Sequence, residues 1–263
     1  MKTPESFTDV LSQTRLPSVF NPYADCCPVH DRPDAARLRR CNLVRYLEAA
    51  LIARVDTIWI ARDLGYRGGR RTGVPLTDEV HLDQAGALMG GIALDRATRG
   101  PAVAERTAAI VWNVLSRIGE PAVLWNIFPL HPHEPDDPFS NRCHTRAERD
   151  ATWPLLIAVI SMIKPRRIVA IGRDAGMALT NLDIPVEVVR HPSYGGQTEF
   201  VSGVRQIYGF MGDRGGQQKL ELPLCGVPQE GVLLPDQISR SSLRCPTGGT
   251  CSAGQSRREW RRR

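Results

Sequence analysis

Four short runs of β-branched and other apolar residues constrain this chain most: "DTIWIA" from Asp56, "AVLWNIF" from Ala122, "RIVAIG" from Arg167 and "VEVVR" from Val186. Runs of that length and composition read as strands rather than helices. Segments with helical periodicity separate them: "AVAERTAAIVWNVLSRIG" from Ala102, "RAERDATWPLLIAVISMIK" from Arg146 and the shorter "RDAGMALTNL" from Arg173. Ahead of the first strand, "DAARLRRCNLVRYLEAALIARV" puts Leu38, Leu43, Leu47 and Leu51 close to one helix face, with Asp34 expected as the N-cap. Strands that alternate with helices favour parallel pairing, the helices crossing over the faces. The expected fold is a three-layer α/β/α sandwich around a mostly parallel, about four-stranded central sheet.

In such sheets ligands bind at the carboxyl ends of the strands. All four exits here are polar. The first runs into "RDLGYRGGRRTGVPLTDE", Arg62 to Glu79, which holds four glycines, four arginines and little that could pack a core. The second runs into "NIFPLHPHEPDDPF", the third into "GRDAG" and the fourth into "HPSYGG". The glycine pair of "IGRDAG" falls short of a dinucleotide fingerprint and reads as a helix-capping turn.

The net charge of +6 suggests a polyanionic partner, but where the charge lies matters more than its sum. Residues 240–263 carry seven arginines and one glutamate, so residues 1–239 are neutral overall. Past Met211 periodicity stops, and Gly, Pro, Gln and Ser accumulate. The chain divides accordingly into a folded domain over 1–212 and a low-complexity basic tail over 213–263, expected to be disordered. No stretch reaches the roughly 20 apolar residues of a transmembrane helix, and "MKTPESFTDV" lacks the apolar core of a signal peptide, so a cytoplasmic location is expected. Seven cysteines without a CxxC pair predict reduced thiols rather than a disulfide framework, a four-cysteine zinc site or an iron–sulphur cluster.

The strand exits offer a carboxylate (Asp63), an amide (Asn126) and an imidazole (His191). A carboxylate can orient water or stabilise a cation, an amide can read a donor–acceptor edge, and an imidazole can support a developing anion. That set suits hydrolysis at a polar heterocycle. Taken singly, each has an ordinary structural alternative: a turn-forming Asp, an Asx-turn Asn, a His bonded to a backbone carbonyl.

Together, "ARDLGYRGGRRTGVPLTDE", "LWNIFPL" and "RHPSYGG" resemble the three site motifs of the uracil-DNA glycosylase superfamily, in the right order and over roughly residues 20 to 210. The resemblance is mixed. "RTGVPLTDE" is similar to runs in both the broad-specificity and the single-strand-selective branches, and "NIFPL" to a segment of the latter. It implies a monomeric DNA glycosylase that hydrolyses the N-glycosidic bond of uracil in DNA and initiates base excision repair. By this resemblance Asp63 matches the acidic residue that positions water and supports the cationic sugar, and His191 the imidazole facing uracil O2. Asn126 matches the amide that reads the base; Arg62, Gly65, Tyr66, Leu76 and Phe128 complete the expected substrate-binding set. Gly65 stands where uracil-restricted members carry a tyrosine that blocks C5 substituents, so the pocket is expected to admit 5-substituted or deaminated bases. Leu76 takes the place of a stacking phenylalanine, leaving Tyr66 or Phe128 to stack. Arg70, Arg71, Ser193, Tyr194 and Gly195 are expected to meet DNA, with Tyr194 as the wedge that fills the gap left by a flipped base. The ligand cysteines of iron–sulphur members are missing, and no cofactor is expected.

Lys2, Lys164 and Lys219 are the only lysines, none in a motif, so no Schiff base is expected and the enzyme reads as monofunctional. His131 and His133, with Cys143 and His144 beyond them, lack the helical i, i+4 spacing of metallohydrolases, and no metal site is expected. Two other readings stay open: a non-catalytic binder of damaged or abasic DNA, and a hydrolase of free nucleosides.

Overall fold

The computed structural model describes residues 1–209, so the tail expected over 213–263 lies outside the described residues. In chain order the elements are α1 (Pro4–Gln13), β1 (Val19–Phe20), α2 (Ala35–Ile52), β2 (Thr57–Asp63), the single turn α3 (Gly69–Thr72), α4 (Leu82–Leu88), α5 (Arg106–Ile118), β3 (Val123–Phe128), β4 (His131–Pro132), α6 (Arg146–Ile163), β5 (Arg167–Ile171), α7 (Arg173–Leu179), β6 (Val186–Val189) and α8 (Gln197–Tyr208). The four expected strands form one parallel sheet in the order β3-β2-β5-β6. Trp59, Ile60, Leu124, Trp125, Ile168 and Val169 are fully buried, which requires cover on both faces. Helices supply it, with α1 packed against α2 and α6, and α5 against α8, giving the three-layer α/β/α fold.

β3 lies at the sheet edge, and the start of its outer backbone is answered from a helix. The Tyr46 hydroxyl, from α2, accepts the Leu124 N–H at 2.8 Å and donates to the Ala122 carbonyl at 3.2 Å, standing in for a neighbouring strand. From β2 the chain moves outward to β3 and then crosses back to β5 on the other side. That reversal opens a crevice between the carboxyl ends of β2 and β5.

Helices α1, α4 and α8 and the small β1–β4 ribbon go beyond the sequence expectation. For α1 the signal was present: Thr3 and Ser6 form a capping box with Pro4 in the first turn. Asp34 does sit at the N-cap of α2, but its carboxylate makes no cap bond and pairs with Arg37 at 2.6 Å instead.

The larger correction concerns the glycine–arginine stretch. Residues 68–79 are buried without interruption, so the segment is a packed body rather than an open loop. Its carbonyls are answered from elsewhere: Arg39 Nε donates to Arg71 O at 3.1 Å, Asn42 Nδ2 to Thr72 O at 2.9 Å and the Tyr23 hydroxyl to Gly73 O at 3.0 Å. Gly73 has φ 74°, and a Cβ there would come within 2.6 Å of Arg39 Cβ, so both conformation and space exclude other residues. Arg70 and Arg71, expected to face phosphates, are only 4% and 5% exposed. The Arg70 guanidinium lies 4.0 Å from the centre of the Phe20 ring and bonds to Pro138 O and His131 Nδ1, while Arg71 is paired with Glu79 at 3.0 Å. Guanidinium groups stacked on a ring or locked to a buried carboxylate tie the fold together rather than standing at the surface.

Candidate active site

Asp63 ends β2 opposite Phe128, and Asn126 sits opposite Ala61. Partners on neighbouring strands share a face, and residues two apart along a strand share it too, so Asp63, Asn126 and Phe128 project to one side. The Asn126 Nδ2 donates to the Asp63 carbonyl at 2.9 Å, and its Oδ1 is buried with no partner. An unanswered buried acceptor costs about 1–3 kcal/mol, which a ligand N–H would relieve.

Both oxygens of the Asp63 carboxylate are engaged. Oδ2 accepts from Arg62 Nε at 2.6 Å, and Arg62 Nη1 continues to Asp174 at 2.6 Å. Burial opposes the Arg62 charge, but the hydrogen bonds to Asp63 and Asp174 prevail and raise its proton affinity. Oδ1 accepts from His144 twice, from Nδ1 and from the backbone N–H at 3.3 Å. In the sequence His144 entered only as part of a discounted metal site. Its ring packs on Phe128, with centroids 5.5 Å apart at 31°. It precedes Thr145, the N-cap of α6, whose capping box with Glu148 pins the backbone: Glu148 N–H to Thr145 Oγ1 at 3.2 Å and Thr145 N–H to Glu148 Oε2 at 2.6 Å. Arg142 Nη1 adds a bond to the same Glu148 oxygen at 2.8 Å. The legible signal was "TRAE" ahead of an apolar run, a cap that fixes whatever precedes it.

His191 follows β6. Its Nδ1 accepts from the Ser193 backbone N–H at 3.2 Å and from the Ser193 hydroxyl at 2.7 Å, which leaves the proton on Nε2. Burial, then the charges of Arg62 and Arg190, lower its proton affinity, so the ring stays neutral and presents a single N–H. Ser193, one of the residues expected to meet DNA, sets this tautomer. The Gly196 N–H closes on Ser193 O at 3.0 Å, with Tyr194 at φ 51° and Gly195 at φ 81°, the pattern of a type I′ turn. Tyr194 stands on its tip at 96% exposure, and the space around Gly195 is open.

A cavity of about 400 Å³ fills the crevice, lined by Arg62, Asp63, Gly172, Arg173, Arg190 and His191, with Tyr194 also on its wall. Arg173 and Arg190 had not been singled out, although they lie within the quoted motifs "GRDAG" and "RHPSYGG". A second cavity of about 350 Å³ is lined by Gly65, Tyr66, Arg67, Glu105, Phe139 and Asn141. A Cβ on Gly65 would lie 3.4 Å from Glu105 Oε1, so a carboxyl bounds the space that the glycine leaves. Burial, then the charge of Asp78, push Glu105 up to about 7. Of the expected stacking groups, Leu76 is in the core at 7% exposure and Phe128 is fully buried against His144. Tyr66 faces the second cavity, its ring 5.2 Å from Phe139 and its hydroxyl 3.1 Å from His30 Nε2.

His131 is bonded to Arg70 and Ser140 O, and burial with the Arg70 charge holds it down at about 3. Among the described residues, no three His, Cys, Asp or Glu side chains gather so as to hold a metal ion. No helix among them is long and apolar enough to cross a membrane.

No protein-family model matches this chain, and no curated protein does. Among solved structures it is similar to the crystal structure of wild-type Pedobacter heparinus SMUG2, at 12% identity and a TM-score of 0.53, over 80% of this chain and 98% of that one. At that identity the likeness establishes the fold: this chain shares its three-layer α/β/α architecture with SMUG2.

Proposed function

We propose that this chain is a DNA glycosylase of the uracil-DNA glycosylase superfamily, hydrolysing the N-glycosidic bond of uracil and of related deaminated or 5-substituted bases in DNA. One observation carries the reading: Asp63 and His191 face one cavity at the sheet crevice, and Asn126 is bonded to the Asp63 backbone beside it. The three motifs and the fold shared with SMUG2 support it.

Breaking the C1′–N bond builds positive charge on the sugar and negative charge on the base. Asp63 supplies the fixed anion for the sugar. His191, neutral with Nε2–H, donates to a base oxygen, and that bond strengthens as the oxygen becomes anionic. Asn126 presents its unanswered Oδ1 to a ring N–H, a narrower task than reading both donor and acceptor, since Nδ2 already serves Asp63. Arg173 and Arg190 take the phosphate role once expected of Arg70 and Arg71. Tyr194 is placed to enter the gap left by the flipped base. No lysine lines the cavity, so base release without strand cleavage is expected.

The test is base release by the full chain from a uracil-containing single strand, the matching duplex and free deoxyuridine, side by side. Release from DNA but not from the nucleoside, abolished by Asp63→Asn, is the expected result. Tight binding without release indicates the non-catalytic binder, and turnover of the nucleoside indicates a small-molecule hydrolase.

A further inference from the structure

Asp63 is poorly free to act as a base: one oxygen is bonded to a guanidinium at 2.6 Å and the other takes two donors from His144. The best acceptor directions of that carboxylate are already filled. The imidazole bonded to it is in the opposite position. When Nδ1–H, directed at the carboxylate, is the ring's one N–H, the lone pair lies on Nε2, and among the described residues none hydrogen-bonds Nε2. The ring is held on Phe128 with a tenth of its side chain exposed, and its backbone is locked by the α6 capping box. A carboxylate–imidazole pair on a rigid support is how an acidic residue makes a histidine a directed base.

Resting on the glycosylase reading above, we infer that His144 is the group that activates the attacking water, and that Asp63 acts on the water through it. As the water oxygen bonds to C1′, one water proton passes to His144 Nε2. The C1′–N bond breaks, its electron pair leaves with the base, and His191 Nε2–H holds the resulting anion. The His144 imidazolium faces the Asp63 carboxylate until it returns the proton to the departing base or to solvent. Charge and protons balance without any further reactant.

Two measurements test this. Nitrogen-15 NMR of the full chain reads the His144 tautomer directly: Nδ1–H is expected in the wild type, with that preference lost in Asp63→Asn. A wild-type Nε2–H tautomer overturns the inference whatever the chain does to DNA. In single-turnover release of uracil, His144→Gln is expected to be slower by about 10²- to 10⁴-fold. A rate within threefold of the wild type sinks the inference while leaving the glycosylase reading intact. If His144→Gln lowers the melting temperature, His144→Gly with added imidazole decides: acceleration by imidazole supports the base role, and none overturns it. A wild type that releases no base from any DNA refutes the glycosylase reading, and with it a role for His144 in that reaction.

Discussion

Asn126 is turned so that its Nδ2 reaches the Asp63 carbonyl at 2.9 Å, and this one bond leaves only the amide oxygen open to a ligand. The amide cannot flip without placing its oxygen against that carbonyl, so Oδ1 stays an acceptor. Methylation of uracil at N3 removes the donor it needs, and sites built for a hydrogen bond reject analogues that lack it. Release of 3-methyluracil is expected to be at least about 10²-fold slower than release of uracil, whereas a 5-methyl group costs far less. Single-turnover rates on matched oligonucleotides check both comparisons.

Tyr194 adopts φ 51° at a fully exposed turn tip, a conformation that an L-residue holds at some cost. Tyr194→Gly is therefore expected to raise stability by about 0.5–1 kcal/mol in chemical denaturation. The same variant is expected to lose rate on duplex DNA while keeping it on single strands, because only the duplex has a stack to wedge. Equal losses on both substrates would show that the ring binds the strand rather than opens it.

Arg70 and Arg190 separate structure from binding. Arg70→Ala strips the guanidinium from Phe20 and from Pro138 O, and is expected to cost about 2–4 kcal/mol of stability with the salt dependence of DNA binding unchanged. Arg190→Ala, at the cavity wall, is expected to leave the melting temperature within error and to flatten the slope of log affinity against log salt by about 1.

Glu105 should leave a mark on stability against pH. Its proton affinity is raised in the folded chain, to about 7 from the ordinary 4.5, so the folded state holds the proton after the unfolded state has released it. The contribution is complete below about 4.5 and is lost as pH rises through about 7. Glu105→Gln keeps a neutral side chain at every pH. It is expected to be more stable than the wild type at pH 8 and little different at pH 4.5, which denaturant titrations at the two pH values measure directly.

The strands were legible because runs such as "TIWIA" and "VLWNIF" leave no polar alternation to confuse with a surface helix. Asp63, Asn126 and His191 were legible because parallel topology places strand exits together, whatever lies between them in sequence. Arg70 and Arg71 were misread because sequence displays a charge but not its partner: Phe20 sits far upstream of Arg70, and Glu79 reaches Arg71 only after the chain turns back. His144 lies 81 residues from Asp63, in a Pro-rich segment without periodicity. Glu105 is the N-cap of a helix whose pattern was read from Ala102, four residues ahead of its first residue Arg106, and its carboxyl was not singled out.

Asp63 and Asn126 are set apart by a lattice rather than by loops. They sit on adjacent hydrogen-bonded strands, and Asn126 lies two residues before the partner of Asp63. Their separation is thus one inter-strand step of about 4.8 Å combined with two axial steps of about 3.3 Å each. A pleated sheet keeps those intervals under almost any change of side chains, so the spacing of the Asp63 carboxylate and the Asn126 amide is set by the hydrogen-bond grid.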